Sequence, residues 1–368
     1  MSQKGRGRTT EPSQERLKAA ARDIHAVAAF QPEDRGIRSA TPDEVRAGLT
    51  ADVYFVGTQQ ILDHLHLSQL PVTAEIFCNH GGLLAGVDET VALLEHLPIT
   101  VDALDDGTVL NEKDVVMRIS GRYGDFGLFE TAILGTLASS SGWATRTREI
   151  VDLAAPVPVI SFGARHVHPA VASVMDRAAL IGGAAGASSI LGARQAGQMP
   201  SGTMPHALLL MVGDTVRAAE AYDAVMPENA PRVVLVDTFK DEAEEALRVA
   251  QKLGSKLAAI RMDTPRERGG VTPGLVREVK ARLVQAGFPE VGIFVSGGIG
   301  ADRVVPLKEA GVTGFGIGSF IAAAPPLDMT MDLKMVNGKP VAKRGRIPGL
   351  TPGRPLRRRI SAGPESTI

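Results

Sequence analysis

Two glycine-rich stretches late in the chain are suited to the close approach of an anion. SGGIG (296–300) leads into a helical pattern, and GFGIGS (314–319) closes the next apolar run. Glycine lets the backbone come near a ligand, and N–H groups left unpaired at a helix start attract phosphate. The phosphate candidates are Gly297, Gly298, Gly316, Gly318 and Ser319. The same glycines would also serve tight turns that pack helix against sheet. Upstream, Arg261 and Asp263 bracket Met262 at the end of another apolar run. Alternate residues of a strand share a face. The pair therefore either grips the hydroxyls or phosphates of a sugar phosphate, with the carboxylate open to Mg2+, or forms a salt bridge closing the strand end.

These positions need a frame, and the second half of the chain supplies one. After Pro156, short β-branched runs alternate with helical stretches: VPVISF, RVVLVDTF, KLAAIRMD, VGIFVSGG and TGFGIGSF. The spacing of roughly 25–35 residues is that of βα steps in a parallel sheet buried on both faces. Polar or glycine residues follow each run, as in Asp237-Thr238 and Ser296-Gly297-Gly298. In a βα barrel those ends form one rim, where chemistry sits, and the number of steps favours a barrel over an open doubly wound sheet. The first half is mixed. Ala85–Leu97, Leu128–Leu137 and Ala144–Leu153 read as helices and Val115–Ile119 as a strand, which makes an α+β domain. The expected division is 1–40 as a flexible or partly helical segment, with a short helix over Arg16–Phe30. An α+β domain follows over 41–153 and the barrel over 154–325. Residues 326–368 return towards the first domain and end in an irregular Arg/Pro-rich tail. Its Arg357-Arg358-Arg359 run reads as solvated rather than as a nucleic-acid contact.

Composition narrows the function classes. The chain has 368 residues, a formal net charge of −1, 44% hydrophobic and 22% charged residues, and one cysteine, Cys78. A near-neutral chain has no global field for nucleic acid or anionic membrane, so an anionic ligand must be held locally. One cysteine excludes an internal disulfide and a Cys-rich zinc site and fits a reducing compartment. No apolar run approaches the ~20 residues of a membrane span, and the polar start has no signal-peptide core. A soluble, cytoplasmic, two-part protein without a resident metal site is the expectation.

Six motifs in order carry a family resemblance: FGARHVHP (162–169), PSGTMPHA (200–207), VDTF (236–239), RMDT (261–264), SGGIG and GFGIGS. SGWATRT (141–147) and LTADVYF (49–55) extend it towards the N-terminus. The chain resembles the nicotinate phosphoribosyltransferases over about residues 45–345. The resemblance implies the type II phosphoribosyltransferase fold, an N-terminal α+β open-faced sandwich joined to an irregular, incomplete α/β barrel. It implies conversion of nicotinate and phosphoribosyl pyrophosphate into nicotinate mononucleotide and pyrophosphate, with Mg2+ and with ATP as co-substrate. His206 matches a histidine that ATP phosphorylates transiently; by residue type alone it would be a satisfied rim residue. Phe162 and Arg165 match the pair that stacks on the pyridine and supports its acid group. Tyr54 matches an aromatic that completes the stack from a neighbouring subunit, implying a homodimer or larger homo-oligomer with shared sites. Asp237, Arg261 and Asp263 match ribose and pyrophosphate contacts, and the four glycines the 5′-phosphate cradle. Ser201 and Thr203 share the His206 loop, and Arg146 and Arg148 are candidates for reaching the pyrophosphate.

Two departures bear on specificity. Nicotinamide-using relatives carry an acid in the stretch that is IGGAAGAS (181–188) here, at about Ala184 or Ala185. Its absence favours a carboxylate substrate, because a second carboxylate would repel it. The Cys-rich zinc knuckle that ends some relatives is also missing. The alternatives are a decarboxylating quinolinate phosphoribosyltransferase, which needs a more basic pocket, a nicotinamide enzyme, an aldolase or isomerase barrel, and a non-catalytic sugar-phosphate sensor.

Overall fold

The structure is a computed structural model that describes residues 14–32 and 35–362. The stretch before residue 14, expected to be flexible, lies outside the described residues. Gln14–Ala20 and Ile24–Ala29 are two short helices where the sequence suggests one. Asp23 separates them, because its carboxylate caps the second helix by accepting from the Ala26 N–H at 2.8 Å. Among the described residues, no helix is long and apolar enough to cross a membrane.

The chain divides into two compact units, Met1–Ser139 with Leu327–Ile368, and Ser140–Pro326. The division falls inside a helix rather than near residue 153. Glu130–Ala154 is one continuous helix of 25 residues, spanning what the pattern suggests is a break at Ser139–Gly142. Gly142 belongs there for packing, since a Cβ at this position would lie 2.3 Å from the Pro325 carbonyl oxygen.

In the first unit, six antiparallel strands run in the order Lys339–Pro340, Met329–Val336, Pro71–Cys78, Val115–Arg122, Thr100–Ala103 and Arg357–Ile360. One face is apolar: Ala74, Ile76, Cys78 and Ile119 pack with Leu94, Ile133 and Leu137 of the helices. The other carries Thr73 hydrogen-bonded to Ser120 at 3.1 Å and Glu75 paired with Arg118 at 2.6 Å. This second face is covered as well around Glu75, which is fully buried and accepts from the Thr351 N–H at 3.1 Å. The final segment corrects the sequence expectation of an irregular tail, although Arg357 and Arg358 remain exposed as expected. Arg357–Ile360 is an edge strand on Thr100–Ala103, with Arg358 2.6 Å from Asp102 and Arg359 paired with Asp88 and Asp105. A bare edge and three carboxylates supply what an arginine-rich strand needs.

Glu130 opens the long helix in a half-buried position, and burial, aided by the nearby Asp332 charge, pushes its carboxyl up to about 7. Folding raises its proton affinity above the ordinary 4.5. The stabilisation from protonation is therefore full below the unfolded value and lost as pH rises through about 7. Glu130→Gln should flatten this pH dependence and raise the thermal midpoint at pH 8, measured by calorimetry across pH 5–9. An unchanged slope would refute the assignment.

The second unit holds six parallel strands ordered Gly186–Ala187, Val159–Ser161, Gly314–Ile317, Gly292–Val295, Leu257–Met262 and Arg232–Leu235. The two outer strands do not pair with each other, so the sheet curls into an incomplete α/β barrel. Val234, Ile260, Met262, Ile293, Val295 and Ile317 are fully buried in the apolar cluster shared with the surrounding helices. Alternate positions, such as the register pair Arg261 and Phe294, lie on the other face of the sheet. The strand C-terminal ends carry the site.

Candidate active site

A cleft of about 340 Å³ lies over those strand ends. Its lining includes Phe162, Arg165, His166, Ser188, Thr203, Arg261, Asp263, Ser296, Gly297, Gly298, Gly316, Gly318 and Ser319. Most positions singled out in the sequence thus meet in one place, although they span some 150 residues of chain. Strand geometry does this, because each run delivers its last residues to a common rim.

Arg261 is the organising group. Its Nε donates to the Ser296 hydroxyl at 2.9 Å, Nη1 to the Thr203 hydroxyl at 2.8 Å, and Nη2 to the Asp263 carboxylate at 3.0 Å. The guanidinium lies 5.4 Å from the Phe162 ring centroid. Ser296 in turn donates its hydroxyl to the other Asp263 oxygen at 3.0 Å. Of the two readings left open by the sequence, the ion pair is observed, and both side chains also line the cleft.

The glycines are explained chiefly by the side chains they admit. A Cβ on Gly316 would lie 2.5 Å from the Phe162 ring, one on Gly297 2.6 Å from the Asp263 carboxylate, and one on Gly318 2.9 Å from His166 Nε2. Gly297 and Gly298 also need their left-handed backbone, with φ of +90° and +64°. Gly316 is therefore the floor on which the Phe162 ring lies. Gly316→Ala should displace that ring and weaken binding of a planar aromatic ligand stacked on it about tenfold. Binding of inorganic phosphate should hardly change, which calorimetry would read; equal effects on both would refute the floor role.

His206 begins the helix His206–Val212, and its Nε2 is 3.1 Å from an oxygen of Asp237. The carboxylate is fully buried while the imidazole is 40% exposed. Burial pushes the Asp237 carboxyl up from its ordinary value, and the His206 contact pulls in the opposite direction. Asp237 Oδ1 and the Thr238 hydroxyl are buried without a hydrogen-bond partner among the described residues. His206 does not line the cleft itself; Thr203, three residues earlier, does.

Other expected residues are placed elsewhere. Ser201 packs under the loop, where Gly186 leaves room for its hydroxyl, and its N–H donates to the Ala187 carbonyl. Arg146 pairs with Glu149 at 2.8 Å and lies over the Phe320 ring, and Arg148 sits 3.8 Å from Asp152; neither lines the cleft. Tyr54 belongs to the first unit, on the helix Val53–His64, and is 62% exposed. The structure adds His166, Ser188 and Ser296, which sequence reasoning passed over. Ser296 opens a quoted motif and His166 neighbours Arg165, so adjacency was the available signal. Asp176 was invisible. Fully buried, it accepts from the Ser161 hydroxyl at 2.7 Å and the Ser189 N–H at 3.1 Å, joining two strand ends of the rim.

The described residues hold no group of three or more His, Cys, Asp or Glu side chains able to enclose a metal. Asp237, with its unpartnered oxygen, and Asp263 could offer Mg2+ the hard oxygen donors it takes.

Comparison with known proteins agrees with this architecture. Residues 52–141 match the model of the quinolinate phosphoribosyl transferase N-terminal domain, and residues 143–332 that of the C-terminal domain. A nicotinate phosphoribosyltransferase of Mycobacterium tuberculosis is 30% identical over 277 residues, 73% of this chain and 58% of the relative. The chain thus spans less than two thirds of that relative's length. A probable carboxylating nicotinate-nucleotide pyrophosphorylase of Methanothermobacter thermautotrophicus is 22% identical over 79% of this chain and 98% of its own. The crystal structure of a nicotinate-nucleotide pyrophosphorylase from Pyrococcus furiosus superposes with a TM-score of 0.82 at 43% identity, covering 86% of this chain and 82% of that one. The domain models carry the quinolinate name, where the sequence motifs resemble the nicotinate branch. At the level both share, the chain belongs to the quinolinate phosphoribosyltransferase family of type II phosphoribosyltransferases.

Proposed function

We propose that the chain transfers a phosphoribosyl group from phosphoribosyl pyrophosphate to nicotinate, in pyridine nucleotide synthesis. The carrying observation is the charge inventory of the cleft. Arg261 spends its guanidinium on Ser296, Thr203 and Asp263. Arg165 makes no hydrogen bond or ion pair among the described residues and lines the cleft with Phe162. One free guanidinium beside one aromatic ring suits a pyridine with one carboxylate. Asp263 is the one carboxylate in the lining, and it is already paired, so no free acid awaits an amide.

In this reading the pyridine nitrogen attacks C1 of the ribose with its ring lone pair, and the C1–O bond to pyrophosphate breaks. Nicotinate mononucleotide and pyrophosphate result, and no general base is needed. Arg261 and Asp263 face the ribose and leaving group, stabilising charge as it develops. Mg2+ held by Asp237, Asp263 and the pyrophosphate oxygens would supply further neutralisation of the leaving group. His206 is assigned the ATP-coupled step. Asp237 accepts from Nε2–H, which leaves the Nδ1 lone pair to take the γ-phosphoryl group as ADP departs; water later cleaves the phosphohistidine. Tyr54 is assigned to a second copy's cleft in a homodimer.

A second reading, decarboxylating transfer to quinolinate, has a specific basis. His166 beside Arg165 offers a further ring N–H donor for a second carboxylate, and the matched domain models bear that name. The test is turnover of phosphoribosyl pyrophosphate with nicotinate, quinolinate or nicotinamide, each with and without ATP. ATP-stimulated turnover of nicotinate is expected. Release of CO2 from quinolinate with no turnover of nicotinate would overturn the proposal.

A further inference from the structure

Arg266 has no role in the site as described so far. It lies in the loop TPRERGG (264–270), which follows the Leu257–Met262 strand. Contacts from three side chains hold that loop in place. Thr264 donates its hydroxyl to the buried Glu242 carboxylate at 2.8 Å, and Arg268 stands 3.6 Å from the other oxygen of the same group. Arg303 donates to the carbonyls of Gly298 and Val271, at 3.2 and 2.5 Å, which ties the end of the loop to the glycine turn of SGGIG.

The nearby cations are therefore occupied. Arg261 serves Ser296, Thr203 and Asp263, Arg268 is at Glu242, and Arg303 is on two carbonyls. The Arg266 guanidinium makes no hydrogen bond or ion pair among the described residues; only its backbone carbonyl is engaged, by the Gly269 N–H at 2.9 Å. Yet its guanidinium rests against Gly298, with Nη2 and Nε at 3.3 and 3.8 Å from where a Cβ would stand. Gly297 and Gly298 are both exposed on the cleft. Arg165, the other unspent guanidinium, follows a strand two places from the one that ends at the glycine turn, about 10 Å at ordinary strand spacing, and three places from the strand that precedes Arg266. The cleft thus has one free fork near the aromatic ring and another over the glycine turn, on a loop braced at both ends.

A guanidinium fork beside exposed backbone matches a phosphomonoester, which carries nearly two negative charges at neutral pH. We propose that Arg266 binds the 5′-phosphate of the phosphoribosyl donor at the Gly297–Gly298 turn, with Arg303 as the positioning residue that holds the loop there. The donor's identity rests on the transferase reading; recognition of a phosphomonoester does not.

The experiment measures calorimetric binding of ribose 5-phosphate and of inorganic pyrophosphate, together with KM for both substrates, in wild type, Arg266→Gln, Arg266→Lys and Arg303→Gln. Arg266→Gln should weaken ribose 5-phosphate roughly 10- to 100-fold and raise KM for phosphoribosyl pyrophosphate by a similar factor. Pyrophosphate binding and KM for nicotinate should stay within about twofold, and Arg266→Lys should recover part of the loss. Arg303→Gln should weaken ribose 5-phosphate less, with little further effect once Arg266 is changed. Arg266 is exposed, so an unchanged thermal midpoint is expected and would show that the fold is intact. Unaltered ribose 5-phosphate affinity in Arg266→Gln, or a loss confined to pyrophosphate, would overturn the assignment. The two proposals fail separately. Wild type that binds ribose 5-phosphate through Arg266 but transfers to no pyridine refutes the transferase alone. Transfer with unchanged KM in Arg266→Gln refutes Arg266 alone.

Discussion

Arg261→Ala should lower kcat/KM for phosphoribosyl transfer by roughly a thousandfold, the sum of a lost charge-assisted contact and a collapsed site. The guanidinium does more than present charge. It orders the Ser296 and Thr203 hydroxyls, neutralises Asp263 and sits by the Phe162 ring. Removing it leaves the mostly buried Asp263 carboxylate with the Ser296 hydroxyl and no cation. Lysine is a poor substitute, because one ammonium on a flexible stem cannot address three partners in a plane. Arg261→Lys should therefore stay within about tenfold of the alanine variant. Steady-state kinetics on folded protein provides the check. A lysine variant near wild-type rate would show that charge alone matters and that the three-way clasp does not.

The second large effect concerns ATP. His206→Ala should abolish ATP stimulation and acid-labile labelling from γ-labelled ATP, while slow transfer without ATP persists. Retained stimulation in this variant would remove His206 from the coupling step. Asp237→Asn should impair coupling too, since an amide no longer fixes Nε2–H by accepting it with a charge. The same substitution should raise the thermal midpoint at neutral pH. Burial raises the Asp237 carboxyl, so its ionised form costs the fold stability that is present at low pH and lost as pH rises through the raised value. ATP coupling should run the other way, failing as pH falls through that value and the protonated acid ceases to accept. A site that holds an unfavourable charge for its chemistry is a familiar trade of stability for activity.

Some of this is readable in order along the chain. The parallel βα units show as β-branched runs separated by amphipathic helices, because a strand buried on both faces must be apolar throughout. Phe162, Arg261, Asp263 and the glycines of 297–298 and 316–318 could be placed at strand ends for the same reason, Arg165 only through the family resemblance, and the structure gathers them in one cleft. The long helix was less legible. Ser139–Gly142 reads as a break, but packing of Gly142 against Pro325 outweighs local propensity. Arg357–Ile360 likewise reads as a solvated run, since its partners Asp88, Asp102 and Asp105 lie some 250 residues earlier.

The sequence by itself determined the fold class and which strand ends could hold an anion, because both follow from residue type and local period. Tertiary structure alone decided how the charges are spent. Whether a guanidinium is free or tied depends on atoms brought together from distant segments, as with Arg261 among Thr203, Asp263 and Ser296. It also decided that Gly316 carries the Phe162 ring, that His206 leans on a buried Asp237, and that Arg146 and Arg148 point to other work. Periodicity carries the direction a side chain takes from its own backbone, but not which group meets it there.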